Sequence, residues 1–215
     1  MSRALHGALA SAALPRYAAA MSSPMGMVSP RLAFRALRCG ELTLHRIRED
    51  NLAQVRELFA VMPDAGYLLA ELEANYRPEY DEERRQTLFG FYSTLGGQLA
   101  GASLLGVSSW LEARGFTGAD TFVHMRGRGV APGSKPALYY LGFAVLGLNR
   151  IETGCFASNL ASRRSLEKTP GLVYEGTLRQ YARNAAGVFE DEHRFAILRS
   201  DWLALYRDAR IEVVY

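Results

Sequence analysis

With 215 residues, 49% hydrophobic and 22% charged, the chain holds enough apolar material for one sizeable core, and no apolar run is long enough to span a bilayer. The net charge of +3 belongs to the N-terminal stretch: residues 1–40 carry five arginines and no acidic residue, against 20 basic and 22 acidic residues in the remainder, which speaks against a nucleic-acid surface on the folded part. Two cysteines, Cys39 and Cys155, and four scattered histidines give neither a disulfide framework nor a zinc cluster, so no metal and a reducing, cytoplasmic setting are expected.

The first 31 residues are rich in Ala, Ser and Met, with Arg3, Arg16 and Arg31. They read as a flexible tail, an upstream start ahead of Met21, Met25 or Met27, or a transit peptide, and they lack a compact secretory apolar region. Residues 1–38 are taken as this extension and 39–215 as the domain. The preference for Arg over Lys, with Lys135 and Lys168 the only lysines, reads as a coding bias without mechanistic weight.

From Glu41 to Ile47 the sequence alternates as a half-buried strand does, and Glu49-Asp50 open a helix with a Leu52, Val55, Leu58, Phe59 stripe. Pro63–Gly66 break it. Residues 67–87, acidic and aromatic, read as one or two further helices with a solvated face or a rim attracting a cationic amine. Leu95-Gly-Gly-Gln98 joins two strands into a hairpin. An irregular stretch with Trp110 and Gly115 precedes a strand near Ala119–His124.

Arg126-Gly-Arg-Gly-Val-Ala131 has the make-up of a phosphate cradle: two glycines bend the backbone so that N–H groups converge, and a helix behind adds its positive end. Pro136 belongs in a first helical turn, so the helix is expected to be entered near Gly133 and to run over 136–148. Ile151 to Ser158 alternates as a strand, residues 161–168 form a short helix, and 172–179 with 188–199 form a strand pair. Ser200 stands as the cap of a last helix containing Trp202 and Leu205.

Arg126-x-x-Gly129-x-Ala131, Phe143 to Glu152, Asn159-x-x-Ser162, Leu166-Glu-Lys168 and Glu175-Gly-x-Leu-Arg179, in this order, resemble the GNAT acyltransferases, and within them the RimJ/RimL-type N-acetyltransferases. The resemblance, weaker at its ends, spans about Leu42 to Trp202. It implies an α/β (α+β) fold with a mixed, mostly antiparallel, splayed sheet flanked by helices. It also implies acetyl-CoA as cosubstrate and acetyl transfer to a primary amine, either a protein N-terminus or a small molecule. Nucleic acid and membrane are not implied as partners, and a homodimer is compatible.

Carried over by motif, Arg126, Gly127, Arg128, Gly129, Val130 and Ala131 would bind the pyrophosphate and Asn159 the pantetheine, while Arg163 and Arg164, exposed on the helix that follows, are in reach of the CoA phosphates. Ser162 would serve the thiol, although Asn159 and Ser162 are also spaced as a helix cap. A backbone N–H near residues 121–124 would meet the oxyanion. Leu166 stands where many relatives have a tyrosine, and Tyr181-Ala182 where some have a glutamate. The proton acceptor therefore lies among Glu152, Asp120 and His124. These departures keep a second reading in view, an acetyl-CoA-binding module with little catalysis.

Overall fold

In chain order the computed structural model of the protein contains β1 (Ala36–Cys39), β2 (Leu42–Arg46), α1 (Leu52–Ala60), β3 (Leu88–Leu95), β4 (Gln98–Ser109) and β5 (Arg114–Thr121). There follow α2 (Val130–Tyr139), β6 (Arg150–Phe156), α3 (Leu160–Glu167), β7 (Val173–Arg183), β8 (Phe189–Leu198), α4 (Arg199–Leu205) and β9 (Glu212–Val214). The structure describes residues 32–60, 88–184 and 186–215. The helices expected within 67–87 lie outside the described residues.

The strands form one sheet in the order β7-β8-β6-β5-β4-β3-β2-β1-β9. Its pairs are antiparallel except β5 with β6, which run parallel. That parallel ladder holds only Arg114–Phe116 against Arg150–Glu152. Beyond it, β5 continues on β4 through Thr121 and β6 continues on β8 through Phe156. The two strands thus part after three residues, and this is the expected splay.

Helices cover both sides. Ala102 pairs with Asp120 while Leu105 pairs with Thr117, an odd offset that sends these pairs to opposite faces. On the Ala102 face α1 packs through Val55 and Phe59 with Ile47 and Phe122, the stripe expected of it. On the Thr117 face α2 lies over β1, β2, β4 and β5. Leu44, Phe91, Leu105, Tyr139 and Phe143 are fully buried between the layers. Among the described residues no helix is long and apolar enough to cross a membrane.

Four expectations change. Ala36–Cys39 is already part of the sheet, and Phe34 and Leu37 are buried, so the folded unit takes in residues ahead of the boundary at 39. A four-residue strand is too short for periodicity to reveal it. Gly115 lies inside β5 rather than in an irregular stretch, because a side chain there would meet the Gly106 carbonyl at 2.6 Å and only glycine lets β4 approach.

α2 begins at Val130, and Gly133 already donates to the Gly129 carbonyl at 2.8 Å. Pro136 therefore sits in the second turn, where a missing N–H ordinarily costs about 3 kcal/mol, and the helix continues as a π turn from Tyr140 to Val145. Lastly, α4 is capped by Asp201, which accepts the Leu198 N–H at 3.0 Å, and Ser200 falls inside its first turn.

Candidate active site

The chain leaves β5 through a short 3-10 turn, Val123–Met125, anchored by the buried Met125. Gly127 and Gly129 follow with φ of 78° and 77°, left-handed values that glycine adopts without a steric penalty. A side-chain carbon placed on either would find nothing within 4 Å among the described residues. Gly129 directly precedes α2 and caps it with no side chain. Val130 and Ala131, the first two helical residues, have N–H groups without an acceptor among the described residues, and Pro132 has no N–H to satisfy. Arg126 and Arg128 are exposed beside them. Two backbone N–H groups at a helix N-terminus with two exposed guanidinium groups beside them are the chemistry that a polyanion requires. The six residues expected of the cradle form one loop leading into a helix, and the earlier helix start places Val130 and Ala131 in the first turn of α2.

The splay opens from the same end of β5. Lys135, one turn and a half into α2 and 3% exposed, ends at the point where the strands part. Its Nζ donates to Thr117 Oγ1 on β5 at 3.0 Å and reaches Thr153 Oγ1 on β6 at 3.5 Å. Thr153 Oγ1 in turn donates to the Thr117 carbonyl at 2.9 Å, bridging the strands one residue beyond their ladder. Burial alone pushes the ammonium pKa down to about 8.

Along β6 the side chains alternate between the faces. Cys155 shares the face of Thr153 and packs with Leu166 of α3. Asn159 Oδ1 accepts the Ser162 N–H at 3.0 Å and so caps α3, and the Ser162 hydroxyl lies near the Cys155 thiol, whose pKa burial pushes up while Ser162 pulls it down. The Asn159 amide N–H groups have no partner among the described residues. Arg163 binds Glu167 at 2.9 Å and reaches His193 Nε2 at 3.0 Å, while His193 Nδ1 meets Thr177 at 2.8 Å. Arg164 is exposed and pairs with no acid among the described residues.

The other face of β6 carries Glu152 and Gly154. Glu152 is held by Arg150 at 2.9 Å, and Arg150 also grips Glu175 through both carboxylate oxygens. Over Gly154 lies the carboxylate of Glu192 from β8, so close that a side chain on residue 154 would meet its Oε1 at 2.4 Å. Arg194 Nε stands 2.9 Å from that oxygen but off the line of a hydrogen bond, so charge alone joins them. Burial pushes the Glu192 carboxyl pKa up, with Arg194 pulling against it.

The expected catalytic residues do not form one constellation. Ser162 belongs to the Cys155 face and Glu152 to the opposite one. His124 is exposed on the 3-10 turn, with Nε2 3.0 Å from the Leu99 carbonyl and its ring stacked near Phe122. The backbone donor expected near 121–124 is already used in part, since the Phe122 N–H goes to the Ala100 carbonyl at 3.0 Å. Lys135 and Glu192 are the groups that sequence reasoning missed. The signal for the first was its identity, one of two lysines among 25 basic residues, set in an apolar helix. The signal for the second was its even spacing from Arg194 in an alternating strand. Among the described residues no three His, Cys, Asp or Glu groups gather as metal ligands.

No protein-family model and no curated protein matches the sequence. Solved structures match its fold. A T. thermophilus protein assigned as an acetyltransferase superposes with a TM-score of 0.63 at 21% identity, covering 80% of this chain and 94% of that one. A second structure assigned as an acetyltransferase gives 0.61 at 22%, covering 80% and 91%. A chimera of spermidine N-acetyltransferase from Vibrio cholerae and hSSAT gives 0.60 at 19%, covering 77% and 99%. The protein has the fold of the GNAT acetyltransferases.

Proposed function

We propose that the protein is an acetyl-CoA-dependent N-acetyltransferase acting on a primary amine. The observation that carries this reading is the open, uncapped cradle of Arg126–Ala131 at the mouth of a gap between two parallel strands. A pyrophosphate fits the first and an extended pantetheine arm the second. The free Asn159 amide N–H groups suit that arm, and Arg164 suits a phosphate beside it. Acetyl-CoA supplies the activated acyl group: an amide C–N bond forms, the thioester C–S bond breaks, and of the two protons lost by the ammonium one ends on the thiol and one is released.

The chain's own work is to take a proton from the ammonium on one side of β6 and to meet the thiol on the other. Glu192 suits the first task better than Glu152 or His124, because its carboxyl is partly desolvated and only loosely held by Arg194. Glu192→Gln is expected to lower kcat/KM about 100-fold and to erase the acid limb of its pH profile, which wild type gains as the raised carboxyl ionises. An unchanged limb would remove Glu192 from the role. Ser162, with its hydroxyl on the Cys155 side, suits the second task. Ser162→Ala is expected to lower kcat about tenfold or more with acetyl-CoA affinity retained, and equal kcat in the two proteins would leave Ser162 as a helix-cap residue only.

The acceptor is an ammonium under either finer reading. The RimJ/RimL resemblance favours a protein N-terminus. The fold shared with a spermidine N-acetyltransferase, together with Asp120, Glu152 and Glu192 on one face, favours a small cationic amine. Thiol release measured across peptide N-termini, polyamines and simple amines separates the two. Acetyl-CoA binding without turnover on any of them would leave the binding-module reading instead.

A further inference from the structure

The transfer chemistry above leaves one buried charge without a task, and it lies where the gap closes. Lys135 Nζ touches both walls, Thr117 on β5 and Thr153 on β6, within hydrogen-bond range. An ammonium has three N–H groups, and the third has no partner among the described residues. No carboxylate there approaches it, and burial is the sole cause of its perturbed titration. On the sheet face that α2 covers, the titratable groups include Cys39 of β1, Cys155 of β6 and His193 of β8, with Tyr139 on α2 itself; burial keeps both thiols and Tyr139 uncharged at neutral pH, and His193 is engaged by Thr177 and Arg163. A cation held this deep without a counterion weakens the fold, and such groups gather at functional sites. The residue type fits as well. Where 23 arginines carry nearly all of the positive charge, this position has a lysine, whose compact ammonium on a thin stem can enter a narrow gap.

Resting on the acyltransferase reading of the cradle, we propose that Lys135 is the electrophilic residue of the site: its third N–H donates to the thioester carbonyl oxygen in the gap beyond Thr117 and Thr153 and receives the negative charge that develops there as the amine adds to the carbonyl carbon. The proton stays on Nζ throughout. When the C–S bond breaks, the oxygen electron pair re-forms the C=O bond and the negative charge leaves on sulfur, which takes one of the protons given up by the amine, so no further reactant is required. A fixed cation in a dry site does this at little reorganisation cost. The Phe122 N–H, already bound to Ala100, is not free to do it. At pH 7 most of the ammonium survives its burial.

The test compares acetyl-CoA with S-ethyl-CoA, a thioether of similar size without the carbonyl, in direct binding to the full chain at pH 7. Wild type is expected to bind the thioester about tenfold more tightly. Lys135→Met should bind both equally, at the thioether's affinity, because the cradle is untouched. A second measurement leaves Lys135 in place. With carbon-13-labelled lysine the chain gives two side-chain signals, and Lys168→Arg identifies Lys135. Its titration should move to higher pH with acetyl-CoA and stay put with S-ethyl-CoA. An equal preference in wild type and Lys135→Met, or a titration that ignores the carbonyl, overturns the proposal. If wild type binds neither compound, the acyltransferase reading itself fails and takes this proposal with it.

Discussion

Gly129→Glu is expected to abolish the rise in melting midpoint that acetyl-CoA produces in the wild-type chain. A ligand present at 100 times its Kd stabilises the folded state by about 2.7 kcal/mol, or roughly 5–10 °C for a chain of this size. The glutamate directs a carboxylate at the seat of the pyrophosphate and disturbs the N–H groups of Val130 and Ala131. Losing two charge-assisted hydrogen bonds, at about 1.5 kcal/mol or more each, weakens binding about 100-fold or more. At the same ligand concentration the shift then falls to about 0.4 kcal/mol, near 1 °C. The φ of 77° strains any residue with a Cβ, by about 1–2 kcal/mol, but the open space around it lets the variant fold. Gly129→Ala carries the same strain without the charge and should keep most of the shift. Differential scanning fluorimetry reads all three proteins. A full shift in Gly129→Glu would remove the phosphates from this loop, and no shift in wild type would remove acetyl-CoA.

The second large effect is on stability alone. Lys135 titrates near 8 in the folded chain against an ordinary 10.5, so the folded state binds its proton less readily than the unfolded state does. Below pH 8 both states carry the proton and the buried cation destabilises the fold in full, by about 3 kcal/mol. Between pH 8 and 10.5 the unfolded chain holds more protons, so stability from this group rises with pH, and above 10.5 the rise ends. Lys135→Met removes the cation and keeps most of the stem's packing. It is expected to be about 1–3 kcal/mol more stable than wild type at pH 7, with the gap closing towards pH 10.5. The tyrosines titrate alike in both proteins, so the difference between their urea curves isolates the lysine. A gap independent of pH would mean that Lys135 is not buried as a cation. A variant that is more stable yet slower is the expected signature of a residue kept for chemistry.

What could be read in advance followed the range of each interaction along the chain. The Gly96-Gly97 hairpin, the Leu52 to Phe59 stripe and the alternation of Ile151, Thr153 and Cys155 are local patterns, and each element stands where its period puts it. The Arg126–Ala131 loop leading into a helix was legible for the same reason, being six consecutive residues. Pro136 misled because local cost argued for a first turn, whereas Pro132 takes the third helical position, where no N–H is needed, and tertiary packing carries Pro136 in the second turn. Lys135 and Glu192 were hidden for a different reason. Each becomes distinctive through a neighbour far along the chain, Thr117 and Thr153 for the lysine and Gly154 for the glutamate, and no periodicity encodes such meetings. Asn159 and Ser162 had two readings in sequence, and their geometry contains the cap in full while leaving the Asn159 amide N–H groups for a ligand.

β6 divides its side chains between the two faces of the sheet with a period of two. Thr153 and Cys155 face α2 and α3, and Glu152 and Gly154 face the other way; in the reaction proposed above the first is the side of the donor's thiol and the second the side of the acceptor. On the proposed acetyltransferase reading this would separate the inheritance of the two specificities. Point changes at even positions can retune which amine is taken while the choice of acyl donor stays as it was, and changes at odd positions do the reverse. A one-residue insertion or deletion in the strand would exchange the two sets at once, so the lineage can drift in acceptor by substitution but hardly by a change of length here.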